Sequence, residues 1–97
     1  MVRAILLDGG DNVVTLIDPG TQGDEVTLGG QPLANVRLVG DIPFGHKLAT
    51  RPIAQGERIL KYGKVIGQAT AAILAGDHVH VHNVEALRAR GDLKEAA

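Results

Sequence analysis

Residues 42–76, IPFGHKLATRPIAQGERILKYGKVIGQATAAILAG, decide the fold class. Pro43, Gly45, Pro52, Gly56, Gly63, Gly67 and Gly76 break this stretch into segments too short for an ordinary three-turn helix. Between the breakers stand short runs of Ile, Val and Leu, so the segment reads as short strands joined by tight corners.

The same pattern extends upstream. Met1 to Leu7 and Asn12 to Ile17 are apolar runs separated by Asp8-Gly9-Gly10-Asp11, which predicts two strands, a hairpin if they pair. Asp18 to Asp24 carries Pro19, Gly20 and Gly23 and predicts a loop that reverses the chain. Glu25 to Leu28, the turn Gly29-Gly30, and Val36 to Val39 continue the series of short strands. Neither glycine pair opens a helix or has the Gly-x-x-x-x-Gly-Lys spacing of a phosphate cradle. Only Val84 to Ala97 has helical composition, and Gly91 interrupts it, so the expectation there is a short helix or a frayed end. The sequence displays no internal repeat and no linker, which predicts one small, mainly β domain over residues 1–97.

Composition narrows the function. The chain has one Phe, one Tyr, no Trp and a net charge of −1, so it lacks both the aromatic platforms and the basic footprint of a nucleic-acid binder. Without cysteine it offers no disulfide, no thiolate nucleophile and none of the usual ligands of an iron–sulfur cluster. The opening apolar run is too short for a signal core or a membrane span, which makes a cytoplasmic location the default. No Ser, Cys or Asp stands with a His in a recognisable nucleophile motif, which argues against a small autonomous hydrolase.

Histidines carry the remaining chemistry. His78, His80 and His82 alternate, so on a strand from Val79 to Asn83 they would share one face, with Val79 and Val81 on the other. Same-face Cα atoms lie roughly 6.6 Å apart at about 3.3 Å rise per residue, which lets a His-x-His pair reach one divalent ion, a substrate carboxylate or a hydroxyl. The bland alternative is a solvated strand face that serves no ligand. His46 follows Gly45 and precedes Lys47, where imidazole and ammonium could meet an anion; a loop-packing role competes with it. Tyr62, beside Gly63, reads as a packed side chain with a bonded hydroxyl.

Taken in order, Ile42-Pro43-Phe44-Gly45-His46-Lys47, Ile53 with Gly56-Glu57, Lys61-Tyr62-Gly63, Val65-Ile66-Gly67, Ala69-Thr70 and Val79-His80-Val81-His82-Asn83 form a specific set. With them the segment Ile42 to Val84 resembles the N-terminal domain of altronate dehydratases and the small subunit of sulfolactate sulfo-lyase. The His-x-His-Asn ending points toward those branches rather than the galactarate branch. The resemblance implies a SAF-type domain of β-clip fold and a non-autonomous lyase subunit, inactive alone. It implies a large catalytic partner and a sugar-acid or sulfonated hydroxy-acid substrate. It also implies a divalent metal, often iron, held mainly by that partner. In this reading His80 and His82 are the catalytic or metal-binding residues, and His46, Lys47 and Asn83 bind substrate. His78 falls on a position that resembles a variable, polar site. The rival function is a β-clip module that recognises a carbohydrate or a protein without taking part in catalysis, and self-association into a homo-oligomer stays open.

Overall fold

The computed structural model describes residues 1–87. Nine strands run in chain order: β1 (Val2–Ile5), β2 (Val13–Leu16), β3 (Glu25–Leu28), β4 (Gln31–Arg37), β5 (Lys47–Ala49), β6 (Arg58–Lys61), β7 (Lys64–Ala69), β8 (His78–Val79) and β9 (Val84–Glu85). They form a six-stranded sheet ordered β4-β3-β1-β2-β5-β8 and a three-stranded sheet ordered β6-β7-β9. The expected mainly β, SAF-type architecture is thus present. The first two strands do pair antiparallel, while β3 lies parallel to β1 on its far side. Val84 and Glu85 are a strand rather than the start of a helix, and the rest of the expected C-terminal helix lies outside the described residues. Among the described residues no helix is long and apolar enough to cross a membrane.

The absence of a repeat, expected from the sequence, is wrong at the level of the backbone. One turn recurs four times: Thr21 to Asp24, Pro43 to His46, Ala54 to Glu57 and Leu74 to Asp77. In each, the N–H of the fourth residue donates to the carbonyl of the first at 3.0, 3.2, 2.9 and 3.0 Å. The third residue is a glycine at φ between 82° and 88°, as a type II turn requires. Each turn locks onto one residue of a partner segment. Gly23 N–H donates to Leu38 and Asp24 accepts from it; Gly45 and His46 treat Leu16 likewise, Gly56 and Glu57 use Ala69, and Gly76 and Asp77 use Ala49. The residues just before the turns pair reciprocally, Gly20 with Ile42 and Ile53 with Ile73. The chain therefore consists of two similar lobes, each with two crossed turns.

The two lobes solve one packing problem with opposite size choices. The first core gathers Leu16, Val26, Leu38, Ile42 and Leu48 with Val2, Ala4, Val14 and Val36. The second gathers Ala49, Ile59, Ala69, Ile73 and Val79 with Val13 and Ile53. A Cβ on Gly20 would lie 2.3 Å from Leu38 Cδ1 and 2.9 Å from Leu16 Cδ1, so large neighbours demand glycine. In the second lobe those two neighbours are Ala49 and Ala69, and Ile53 fills the space. Large and small residues exchange places between the lobes, which is why the repeat escapes a residue-by-residue reading.

Strands β2 and β5 serve both lobes, because adjacent residues on a strand point to opposite faces. Val14 and Leu48 enter the first core, and Val13 and Ala49 the second. The join is reinforced by Asp11 and Asn12, both buried. Asn12 Oδ1 accepts from Leu60 N–H at 2.8 Å, and its Nδ2 donates to the Arg58 carbonyl at 2.9 Å. The Asp11 carboxylate accepts from Tyr62 N–H at 3.0 Å and Gly63 N–H at 2.8 Å. Those two donors sit in the β6–β7 turn, where Tyr62 has φ 61° and Gly63 φ 69°. A tyrosine there is strained, and the carboxylate holds the turn in place. Tyr62 is not packed as its sequence setting suggests. It stands 61% exposed at the hairpin tip, with Lys61 Nζ 5.4 Å from its ring centre.

Candidate functional site

The turn chemistry explains how a histidine comes to position 46. In three of the four turns the last residue is acidic and caps the N–H of the first: Asp24 on Thr21 at 2.9 Å, Glu57 on Ala54 at 3.0 Å and Asp77 on Leu74 at 3.2 Å. In the second turn the first residue is Pro43, which has no N–H to cap. Position 46 is thereby released from the capping role and carries an imidazole. At these four turns the sequence reads Gly23-Asp24, Gly45-His46, Gly56-Glu57 and Gly76-Asp77, so the second is set apart by its histidine.

Strand register then brings the other histidines to it. In the β5–β8 pair Leu48 faces His78 and Lys47 faces Val79, so continuing the register sets His46 against His80. His46 Nδ1 and His78 Nε2 are 2.9 Å apart, a hydrogen bond between two imidazoles. The His46 and His80 rings stack at 4.4 Å between centroids, and His78 lies 5.3 Å from His80 and 5.4 Å from His82. His46, His78 and His80 are half-buried, while His82 is exposed.

The expected strand through Val79 to Asn83 is not formed. β8 ends at Val79, and residues 80–83 turn, so the histidines converge through a bend rather than along a flat face. Val81 accordingly leaves the core and is 81% exposed. Asn83 makes this turn. Its Oδ1 accepts from His80 N–H at 3.0 Å, its Nδ2 donates to the His78 carbonyl at 2.8 Å, and its own N–H donates to the His80 carbonyl at 3.1 Å. The side chain expected to bind substrate is thus fully engaged in holding His78 and His80. His78, set aside on sequence grounds, occupies the centre of the group.

Lys47 lies on the opposite face of β5 from His46. With His80, Ile66, Val81, Val84 and Ala86 it lines an open cleft of about 240 Å³ between the two sheets. Burial lowers the Lys47 pKa, and the nearby Lys61 lowers it further. Among the described residues no carboxylate lies within ion-pair distance of Lys47. Desolvation also holds His78 below the ordinary histidine value, assisted by the charges of His46, His80, His82 and Lys47. His80 is lowered by desolvation and then by His46, Lys47 and His82. The site therefore presents the neutral imidazoles of His78 and His80 beside a cation with no carboxylate partner among the described residues, a combination suited to proton transfer next to a bound anion.

Comparison with known proteins gives the family of the chain. The family model described as the altronate/galactarate dehydratase SAF domain matches residues 2–87. The chain is 44% identical over 73 residues to a protein of Escherichia coli K12 named altronate dehydratase, covering 75% of this chain and 14% of that protein. It is 51% identical over 47 residues to (2R)-sulfolactate sulfo-lyase subunit alpha of Chromohalobacter salexigens, covering 48% of this chain and 50% of that subunit. With the subunit of the same name from Paracoccus pantotrophus it shares 40% identity over 48 residues, 72% of that protein. The chain thus spans a small part of the dehydratase and half of the first of these sulfo-lyase subunits. From the match over residues 2–87, the chain belongs to the altronate/galactarate dehydratase SAF domain family.

Proposed function

We propose that this chain is the small, non-autonomous component of a lyase acting on a hydroxy acid. The reaction is loss of water from a sugar acid such as altronate, or loss of sulfite from sulfolactate. The observation that carries the proposal is Lys47, a half-buried ammonium without a carboxylate partner among the described residues, sharing an apolar-walled cleft with the neutral imidazole of His80.

Either elimination breaks the C–H bond next to a carboxylate, turns its electron pair into the C=C bond, and releases hydroxide or sulfite with the electrons of the β-carbon bond. A base must take the proton and an acid must help the leaving group depart. In this reading Lys47 binds the substrate carboxylate by charge. His80 stands beside it in the base form, with its ring stacked on that of His46 and with His82 exposed nearby. Asn83 acts as a positioning residue, since both ends of its amide are used by the loop that carries His78 and His80. A large subunit completes the cleft and holds the main divalent metal, iron in the family resemblance, which would supply Lewis-acid help for the departing group. The exposed Val81, Phe44 and Leu74 give that partner apolar surface to cover.

The test is reconstitution with the large subunit. The chain alone is expected to be folded and inactive. In the complex, His80→Ala should lower turnover by about a hundredfold, the scale of losing one acid–base group, and Lys47→Gln should mainly raise KM. Activity must be compared at equal folded fraction and equal subunit binding. Full turnover by complexes carrying both substitutions would leave the non-catalytic binding module as the remaining reading, and turnover by the isolated chain would refute the subunit assignment.

A further inference from the structure

We propose that His46, His78 and His80 form a tris-imidazole site for one divalent transition-metal ion of the zinc class, held by this chain alone. It differs from the His80–His82 pair that alternation suggests, and it does not depend on the lyase reading, in which His80 acts as base only while no ion is bound to it.

The argument is geometric. One ring nitrogen from each of the three residues lies within 4.8 Å of the others. Three nitrogens bound at about 2.0–2.1 Å to a tetrahedral ion stand about 3.4 Å apart, so the triangle needs side-chain rotations but no backbone movement. The shortest edge, His46 Nδ1 to His78 Nε2 at 2.9 Å, is already closer than that and has only to open. All three side chains are half-buried.

The ligand set arises from separate elements locked together. His46 ends a type II turn, His78 lies in β8, and His80 is held by the Asn83 side chain. Such restraint lowers the entropy lost on closing around an ion. The donor chemistry is also selective. Three neutral nitrogens with no thiolate and no carboxylate suit zinc, nickel or iron(II) over calcium or magnesium, which require oxygen. Burial and mutual repulsion keep His78 and His80 below the ordinary histidine value, so their lone pairs are free at neutral pH.

Proton accounting gives a second readout. Without an ion, one of the two facing nitrogens of His46 and His78 carries the proton of their hydrogen bond. When both bind the ion, that proton moves to the other nitrogen of the same ring. Binding at neutral pH is therefore a tautomer change, with no net proton released by this pair.

The experiment titrates the full chain with Zn2+ by calorimetry and with Co2+ by its visible ligand-field bands, and follows ring-nitrogen chemical shifts by NMR. One ion per chain is expected, with only the ring that carried the shared proton, His46 or His78, changing tautomer. His46→Ala, His78→Ala and His80→Ala should each weaken binding at least about tenfold, whereas His82→Ala should change it by less than about threefold. Each variant is checked by circular dichroism. If His78→Ala does not fold, His46→Ala and His80→Ala decide the matter, since both lie in turns. No saturable binding, or binding unchanged in His46→Ala, would overturn the site. Loss in His82→Ala equal to that in His80→Ala would replace it with the alternating pair.

Discussion

Two polar clusters lie at the seams of this domain, and their bonding differs. At the join of the lobes, Asp11 and Asn12 meet four backbone groups of the β6–β7 hairpin, and each of their side-chain oxygens and the Asn12 amide nitrogen has a partner. At the end of the β5–β8 pair, four histidines and Lys47 gather with a single hydrogen bond among their side chains, that between His46 and His78. The first is buried and the second half-buried to exposed. The first has used its bonding capacity to hold two hairpins together, whereas the second retains free lone pairs and a charge with no carboxylate partner among the described residues. Polar groups with spent capacity stabilise; convergent groups with unspent capacity are available to a ligand. Asn83 shows the distinction within a few residues, since it borders the histidines yet bonds like Asn12.

The largest effect expected from this contrast is on stability at the first cluster. Asn12→Ala leaves the part-buried Leu60 N–H and Arg58 carbonyl without their side-chain partner and should cost about 2–3 kcal/mol in urea unfolding. His80→Ala should cost less than about 0.5 kcal/mol in the same measurement, because a half-buried imidazole without a side-chain hydrogen bond supports little. Equal losses from the two substitutions would erase the distinction.

Asn83→Ala should fall between them, at about 1–2 kcal/mol, through loss of the turn that it caps. It should also release the ordering of His80, visible as a narrowing of the chemical-shift differences among the histidine rings. A smaller effect concerns the turn that lacks an acid. His46→Asp alone should gain nothing, since Pro43 offers no N–H. Combined with Pro43→Ala it should recover a capping interaction of about 1 kcal/mol in a double-mutant cycle. Absence of that coupling would show that position 46 was not freed by proline.

The smallest effect is the pH dependence of stability. His78 and His80 are held below 6.5 in the folded chain, so as pH falls the unfolded chain binds their protons first. Their contribution is complete above pH 6.5 and declines as pH drops from 6.5 through the lower folded values. Thermal melts across that interval should flatten in His78→Gln. Asp18 acts lower down: hydrogen bonds from Arg3 bring it from 3.8 to about 2, and its exposed pair contributes a small stabilisation lost between those values.

The β class and the positions of the turns could be read from the chain, because glycine at positive φ, proline and aliphatic runs act locally, and the chain also offered His46, Lys47, His80 and His82 as candidates. Three features could not. The lobe repeat is hidden because Leu16, Gly20 and Leu38 exchange sizes with Ala49, Ile53 and Ala69, and packing constrains the sum of volumes rather than each residue. The exposure of Tyr62 follows from Asp11, distant in sequence, which holds the β6–β7 turn. The central place of His78 depends on the β5–β8 register, which brings Gly45-His46 across from His80. Local backbone preferences are written in neighbouring residues, whereas register, volume exchange and the convergence of side chains are settled only when distant segments close against each other.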